Sequence, residues 1–199
     1  MKVGILTFPH SPSLGAMLQM GALYHVVHEL GHEVEIINYV TNKVNHQQKQ
    51  PVTPKSLLIK VLSCLFLKSS NLSYQDFENK LDMFPELPTC SEEGLKDIAA
   101  RFDRIVVGSD QVWNPVVTGH DLNFYLKFCK DGRQKVSYAA SFGYANADKE
   151  HEAEIAELLN DFAHLSVREQ DGQDIIKKLT GRKATLVLDP TLLVQADYL

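Results

Sequence analysis

Six short runs of β-branched and other apolar residues recur along the chain: KVGILTF (2–8), EVEIINY (33–39), RIVVGS (104–109), KVSYAAS (135–141), LSVRE (165–169) and ATLVLD (184–189). Several are apolar at consecutive positions instead of alternating with polar ones. Strands of that kind are covered on both faces, the condition found in a parallel sheet flanked by helices. Helical patterns fill most of the gaps. Residues 16–30, AMLQMGALYHVVHEL, put Met20, Leu23 or Tyr24, Val27 and Leu30 on one stripe, and Gly31 supplies a stop. Residues 91–101 open with Ser91 as an N-cap ahead of two glutamates. Residues 149–163 and 170–180 are amphipathic, the latter ending before Gly181. Strand and helix in alternation predict an α/β domain with a doubly wound, mostly parallel, Rossmann-like sheet.

The alternation breaks between 41 and 90. TNKVNHQQKQPVTPK is polar, carries two prolines and reads as a surface loop, and the residues after it read as an inserted helical pair. Within them LLIKVLSCLFL (57–67) is apolar, but its 11 residues include a lysine and fall short of the ~20 that a spanning helix needs. The expected organisation is one Rossmann-like domain over 1–190. Residues 191–199 would begin a linker or helix leading into a C-terminal domain that this sequence lacks.

Totals narrow the function. A formal net charge of -5 and a pI near 5.9 give no global attraction to nucleic acid or to an anionic membrane surface. Positive charge for an anionic ligand must therefore be local. Cys64, Cys90 and Cys129 are odd in number and far apart, so they suggest neither a disulfide framework nor a zinc site. A reducing, cytoplasmic setting is expected, and MKVGILTF runs straight into a strand without a signal-peptide cleavage site.

In an open parallel sheet, ligands bind outside the carboxyl ends of the strands, so the polar residues that end the six runs are read as one constellation. After the first run come Thr7 to Gly15, with His10, Ser13 and Gly15 opening onto a helix whose free N–H groups suit an anion. After the third come Gly108, Ser109, Asp110 and Gln111; after the fourth, Ser141, Phe142 and Gly143; after the fifth, Arg168 and Glu169. The first loop has one glycine where a dinucleotide fingerprint needs three, so no nicotinamide cofactor is expected. Trp113 reads as a core or interface aromatic before a ligand platform, and Arg168 has the alternative reading of an ion pair with a neighbouring carboxylate. His25 and His28 lie three apart on the first helix but His32 lies beyond its stop, so no three-histidine metal face is expected, and no metal is required.

The blocks KVGILTF, LGAMLQMGALYHVVHELGHEVEIINY, FDRIVVGSDQVWNP, KVSYAASFG, LSVREQDG and LVLDPTLL, in this order and spacing, resemble the amino-terminal part of the polysaccharide pyruvyl transferase family. GSDQVWNP and YAASFG are the most specific. The family often has Asn-Tyr before the Gly-Ala of the first loop, where this chain has Ser13-Leu14, so Ser13 and the backbone of Gly15 remain as candidates there.

What the resemblance implies is the first half of an enzyme similar to glycosyltransferases of the two-Rossmann-domain (glycosyltransferase-B) type. The implied reaction moves a pyruvyl group from phosphoenolpyruvate to two hydroxyls of a sugar, as a cyclic ketal on a cell-wall, capsular or exopolysaccharide precursor. The acceptor would be free or lipid-linked, with the enzyme in the cytoplasm or peripheral at the inner face of the membrane. No cofactor is implied beyond the phosphoenolpyruvate donor.

Such a reaction needs an acid, a base and donors for the anions. Arg168 is the first choice to grip a carboxylate or phosphate. Ser109, Asp110 and Gln111 would orient sugar hydroxyls or brace the first loop, with Ser141 and Gly143 beside them. His10 and Asp110 are the catalytic candidates, and the general acid would otherwise lie in the second half. The strand tips together are expected to wall a pocket for a doubly anionic donor. Two rival readings stay open: a nucleotide-sugar glycosyltransferase of the same architecture, and a non-catalytic sugar-binding or interaction module. Association into homo-oligomers through an uncovered apolar face is a further expectation.

Overall fold

The structure, a computed structural model, describes residues 1–9, 11, 13–41, 91–143 and 149–195. His10 and nearly all of the expected helical insertion, 42–90, lie outside the described residues.

Four strands form one parallel sheet: β1 (Lys2–Leu6), β2 (Glu33–Ile36), β3 (Arg104–Val107) and β4 (Lys135–Ser137), in the order β2-β1-β3-β4. β5 (Ser166–Val167) and β6 (Thr185–Leu186) pair in parallel and continue this sheet past β4 through bridges Val136↔His164 and Ala140↔Val167. All six expected strands are present, the last two much shorter than their apolar runs. The helices are α1 (Leu14–Glu29), α2 (Glu92–Ala99), α3 (Pro115–Thr118), α4 (Glu152–Asn160) and α5 (Gln170–Thr180).

The consecutive apolar positions divide between two cores. Ile5, Val106, Val3, Val34 and Ile36 meet Met20 and Leu23 of α1 on one face. Leu6, Ile105 and Val107 meet Leu95 of α2, Ile155 and Leu159 of α4 and Ile176 of α5 on the other. Neighbours in one strand thus point to opposite faces, as period-two geometry requires. Right-handed crossovers explain the division: the chain moves one way along the sheet from β1 to β2 and the other way from β3 onward, so the helices fall on opposite sides.

Helix ends follow the local signals. Ser91 accepts a hydrogen bond from Gly94 N–H at 3.0 Å, and Gly31 and Gly181 take left-handed φ of 83° and 72° at helix stops. Leu30 departs from its expected place on the buried stripe: α1 ends at Glu29, Leu30 is the C-cap, and its side chain is 69% exposed. α4 is shorter than the pattern over 149–163. Among the described residues no helix is long and apolar enough to cross a membrane.

Candidate functional site

The order β2-β1-β3 places a topological switch between β1 and β3, where helices leave to opposite faces and the strand tips open a crevice. A row of hydrogen bonds runs along these tips. Thr7, after β1, donates its hydroxyl to the Ser109 carbonyl at 2.9 Å. Ser109, after β3, donates its own to Gln19 Oε1 of α1 at 3.0 Å. Asp110 bridges to Ala140, and its carbonyl accepts from Ser141 N–H at 3.0 Å. Phe142 N–H donates to Glu169 Oε1 at 3.1 Å. Arg168, after β5, donates from Nη1 to Asp189 Oδ2, after β6, at 3.0 Å.

The tip of β3 has unusual backbone. Gly108 has φ of 109° and lies so close to the Tyr138 carbonyl that a Cβ could not be placed there; the Gly108–Ser109 peptide is cis. Asp110 follows with φ of 87°, and its Oδ1 accepts from Gln111 N–H at 2.7 Å. Gln111 Oε1 accepts from Asn114 Nδ2 at 2.7 Å, and Asn114 Oδ1 caps α3 through Val116 N–H at 3.0 Å. Gly143 presses on this pair: a Cβ there would stand 2.6 Å from both Asn114 Nδ2 and Gln111 Oε1. Ser141 Oγ accepts from Gly143 N–H at 2.9 Å, which fixes the turn.

Trp113 is a core residue. Its indole N–H donates to the Phe124 carbonyl at 3.0 Å and its ring stacks on Tyr125 with centroids 5.5 Å apart. Phe142 lies against the same ring at 5.2 Å, so the β4 loop is fastened to the β3 loop through apolar contact too.

Thus Ser109, Asp110, Gln111, Ser141, Gly143 and Arg168 are brought into one row. Ser13, the N-cap of α1, and Gly15, one turn before Gln19, are exposed, and the Ser13 hydroxyl makes no capping bond. Arg168 does have the ion pairs of its alternative reading, with Asp189 at 3.0 Å and more loosely with Glu169 at 3.7 Å. Its Nη2 has no bond to the described residues. Asp189 is itself held, since its Oδ1 accepts from both Thr191 N–H and the Thr191 hydroxyl.

Gln19, Asn114 and Asp189 are the members of the row that strand-end reasoning did not single out. Asn114-Pro115 carried the signal of a cap followed by proline at the first helical position. Gln19, a polar residue inside AMLQMGAL, is the one polar break in an apolar helix start.

A further polar group is centred on Tyr39, in the core opposite α1. The Tyr39 hydroxyl donates to Asp121 Oδ2 at 2.6 Å and accepts from Asn123 Nδ2 at 2.9 Å. Burial, reinforced by the Asp121 carboxylate, raises the Tyr39 phenol well above its ordinary range. The Tyr138 phenol, which donates to the Leu188 carbonyl at 3.1 Å, is also raised, first by burial and then by the charge of Asp189. Among the described residues no group of three or more His, Cys, Asp and Glu side chains is placed to hold a metal ion.

No curated protein and no solved structure matches the chain. A family model described as polysaccharide pyruvyl transferase matches residues 14–199, a span that takes in α1, every strand tip after β1, and the whole Gln19–Asp189 row. The chain therefore belongs to the polysaccharide pyruvyl transferase family, a family of transferases.

Proposed function

We propose that this protein transfers the pyruvyl group of phosphoenolpyruvate to two hydroxyls of a sugar, forming a cyclic ketal on a cell-wall, capsular or exopolysaccharide precursor, free or lipid-linked. The observation that carries this reading is the bonded row of polar strand tips at the β1/β3 switch point, which from Gln19 to Asp189 lies within the span of the family match. The two-domain architecture implied by the resemblance would make the row one wall of an interdomain cleft.

The chemistry sets the requirements. A proton adds to the methylene carbon of phosphoenolpyruvate, one sugar hydroxyl attacks the adjacent carbon as it gains oxocarbenium character, and its proton is released. Phosphate then leaves, the second hydroxyl closes the ring, and its proton balances the departing anion. Arg168 takes an anionic group of the donor: Asp189 holds the Nη1 corner, and Nη2 remains to donate, so the guanidinium is oriented before the ligand arrives. Asp110, acceptor-only when ionised, faces a hydroxyl.

Calorimetric titration with phosphoenolpyruvate and, separately, with nucleoside diphosphates tests the reading. Phosphoenolpyruvate is expected to bind and nucleoside diphosphates to leave the heat signal flat. The reverse pattern would replace this proposal with a nucleotide-sugar glycosyltransferase.

A further inference from the structure

The bonded row is not uniform in charge. Asp110, Glu169 and Asp189 set three carboxylates against the single guanidinium of Arg168, and Arg168 sits at the β5 end, beside two of them. At the other end, near the switch point, Asp110 brings a negative charge and its neighbours Ser109, Gln111 and Gln19 are neutral. A phosphate or carboxylate is repelled there, whereas a neutral polyol is not.

The hydrogen bonds at that end also have a fixed direction. Val116 N–H can only donate, so the atom of Asn114 facing it is the carbonyl Oδ1. The other atom of that amide, Nδ2, then faces Gln111 and can only donate, so Gln111 turns its Oε1 toward it. Gln111 Nε2 is left with both hydrogens and no partner among the described residues. A helix cap thus sets the polarity of a residue on the rim. Gly143, with no room for a Cβ against this bond, holds the pair from the other side. Beside it, Asp110 uses Oδ1 on Gln111 N–H and keeps Oδ2.

We infer that Asn114 is a positioning residue that locks Gln111 as a donor next to the Asp110 carboxylate, and that this pair takes one hydroxyl of the neutral acceptor sugar, accepting its proton at Asp110 while Gln111 donates to its oxygen. The inference rests on the pyruvyl transfer reading and assigns the two substrates to opposite ends of the row: acceptor at the β3 tip, donor anion at Arg168. A hydroxyl has one proton, so it satisfies a donor and an acceptor together but not two acceptors. Reversing the Gln111 amide would therefore cost the site one bond and leave an acceptor unpaired.

Two substitutions reverse the polarity by separate routes. Gln111→Glu keeps an oxygen toward Asn114 Nδ2 and puts another oxygen where the donor stood. Asn114→Asp keeps the cap on Val116 N–H but presents an oxygen to Gln111, whose amide must turn over. The probes are methyl glycosides of glucose, galactose and mannose, titrated by calorimetry into the protein saturated with phosphoenolpyruvate.

At least one glycoside is expected to bind, and both substitutions to weaken it by about tenfold or more, with phosphoenolpyruvate affinity and melting temperature held. Unchanged glycoside affinity in Gln111→Glu would overturn the inference. So would a parallel loss of phosphoenolpyruvate affinity, or no glycoside binding by an unsubstituted protein that does bind phosphoenolpyruvate. If the unsubstituted protein fails to bind phosphoenolpyruvate, the pyruvyl transfer reading itself falls. Should Asn114→Asp unfold the protein, Gln111→Glu decides alone, because it leaves the cap intact.

Discussion

Arg168 carries the clearest consequence at the scale of single residues. Its side chain is about a quarter exposed and its guanidinium is anchored at one corner by Asp189, so what it offers a ligand is a planar edge of fixed orientation. A lysine keeps the charge but loses both the plane and the anchored geometry. Arg168→Lys is expected to lower kcat/KM for phosphoenolpyruvate by about tenfold or more, and an unaltered steady-state rate would remove Arg168 from the donor site.

Cys129 behaves in the opposite way, as a thiol kept out of chemistry. Burial pushes it up to about 12 from an ordinary 9.0. Between those values the unfolded chain gives up its thiol proton while the folded chain retains it, so the unfolded state binds fewer protons and stability falls as pH rises through that window. Below pH 9 the contribution is whole. In a Cys64→Ser/Cys90→Ser background, alkylation of Cys129 by iodoacetamide at pH 8 is expected to proceed only as fast as global unfolding. Stability measured from pH 9 upward should decline less steeply once Cys129→Ala is added.

Among the elements, boundaries set by one or two adjacent residues were legible in the sequence. Ser91 announces α2 and does accept from Gly94 N–H; Ser91→Ala is expected to cost about 1 kcal/mol in urea denaturation, the usual value of an N-cap. Gly181 ends α5 where expected because a left-handed φ of 72° favours glycine. The strand tips were legible too, since an apolar run that stops at a polar residue marks where the sheet ends. Partners were not. Ser109 bonds to Gln19, 90 residues earlier, and Phe142 to Glu169, 27 later, and one sequence without its fold holds no trace of such pairings. Strand length was misjudged for a related reason: LSVRE and ATLVLD have strand-like composition throughout, but only two residues of each enter the β5–β6 pair, because the number of ladder positions is fixed by the neighbouring strand.

At the scale of the whole molecule, the two cores share their strands. Val106 belongs to the α1 side while Ile105 and Val107 belong to the other, and Ile5 and Leu6 divide likewise. Neither core can be lost without taking apart the strands that line its counterpart, so the described fold should unfold as one cooperative unit. The chain holds one tryptophan, and Trp113 is buried in the core opposite α1; its fluorescence therefore reports one face of the sheet, while far-UV circular dichroism reports the backbone on both. The two probes are expected to give coincident urea transitions. A sharper measurement places the perturbation on the far side: Met20 of α1 is buried against β1, β2 and β3, and Met20→Ala removes about 2–5 kcal/mol of packing there. If the sheet couples the faces, the Trp113 transition shifts to lower urea by the same amount as the circular dichroism transition, although Met20 and the indole, with its neighbours Tyr125, Phe142 and Phe162, belong to different cores. A Trp113 midpoint that stayed in place while the circular dichroism midpoint fell would mean that the two faces fold independently, and the rim they jointly position would then lack the rigidity that a preorganised site requires.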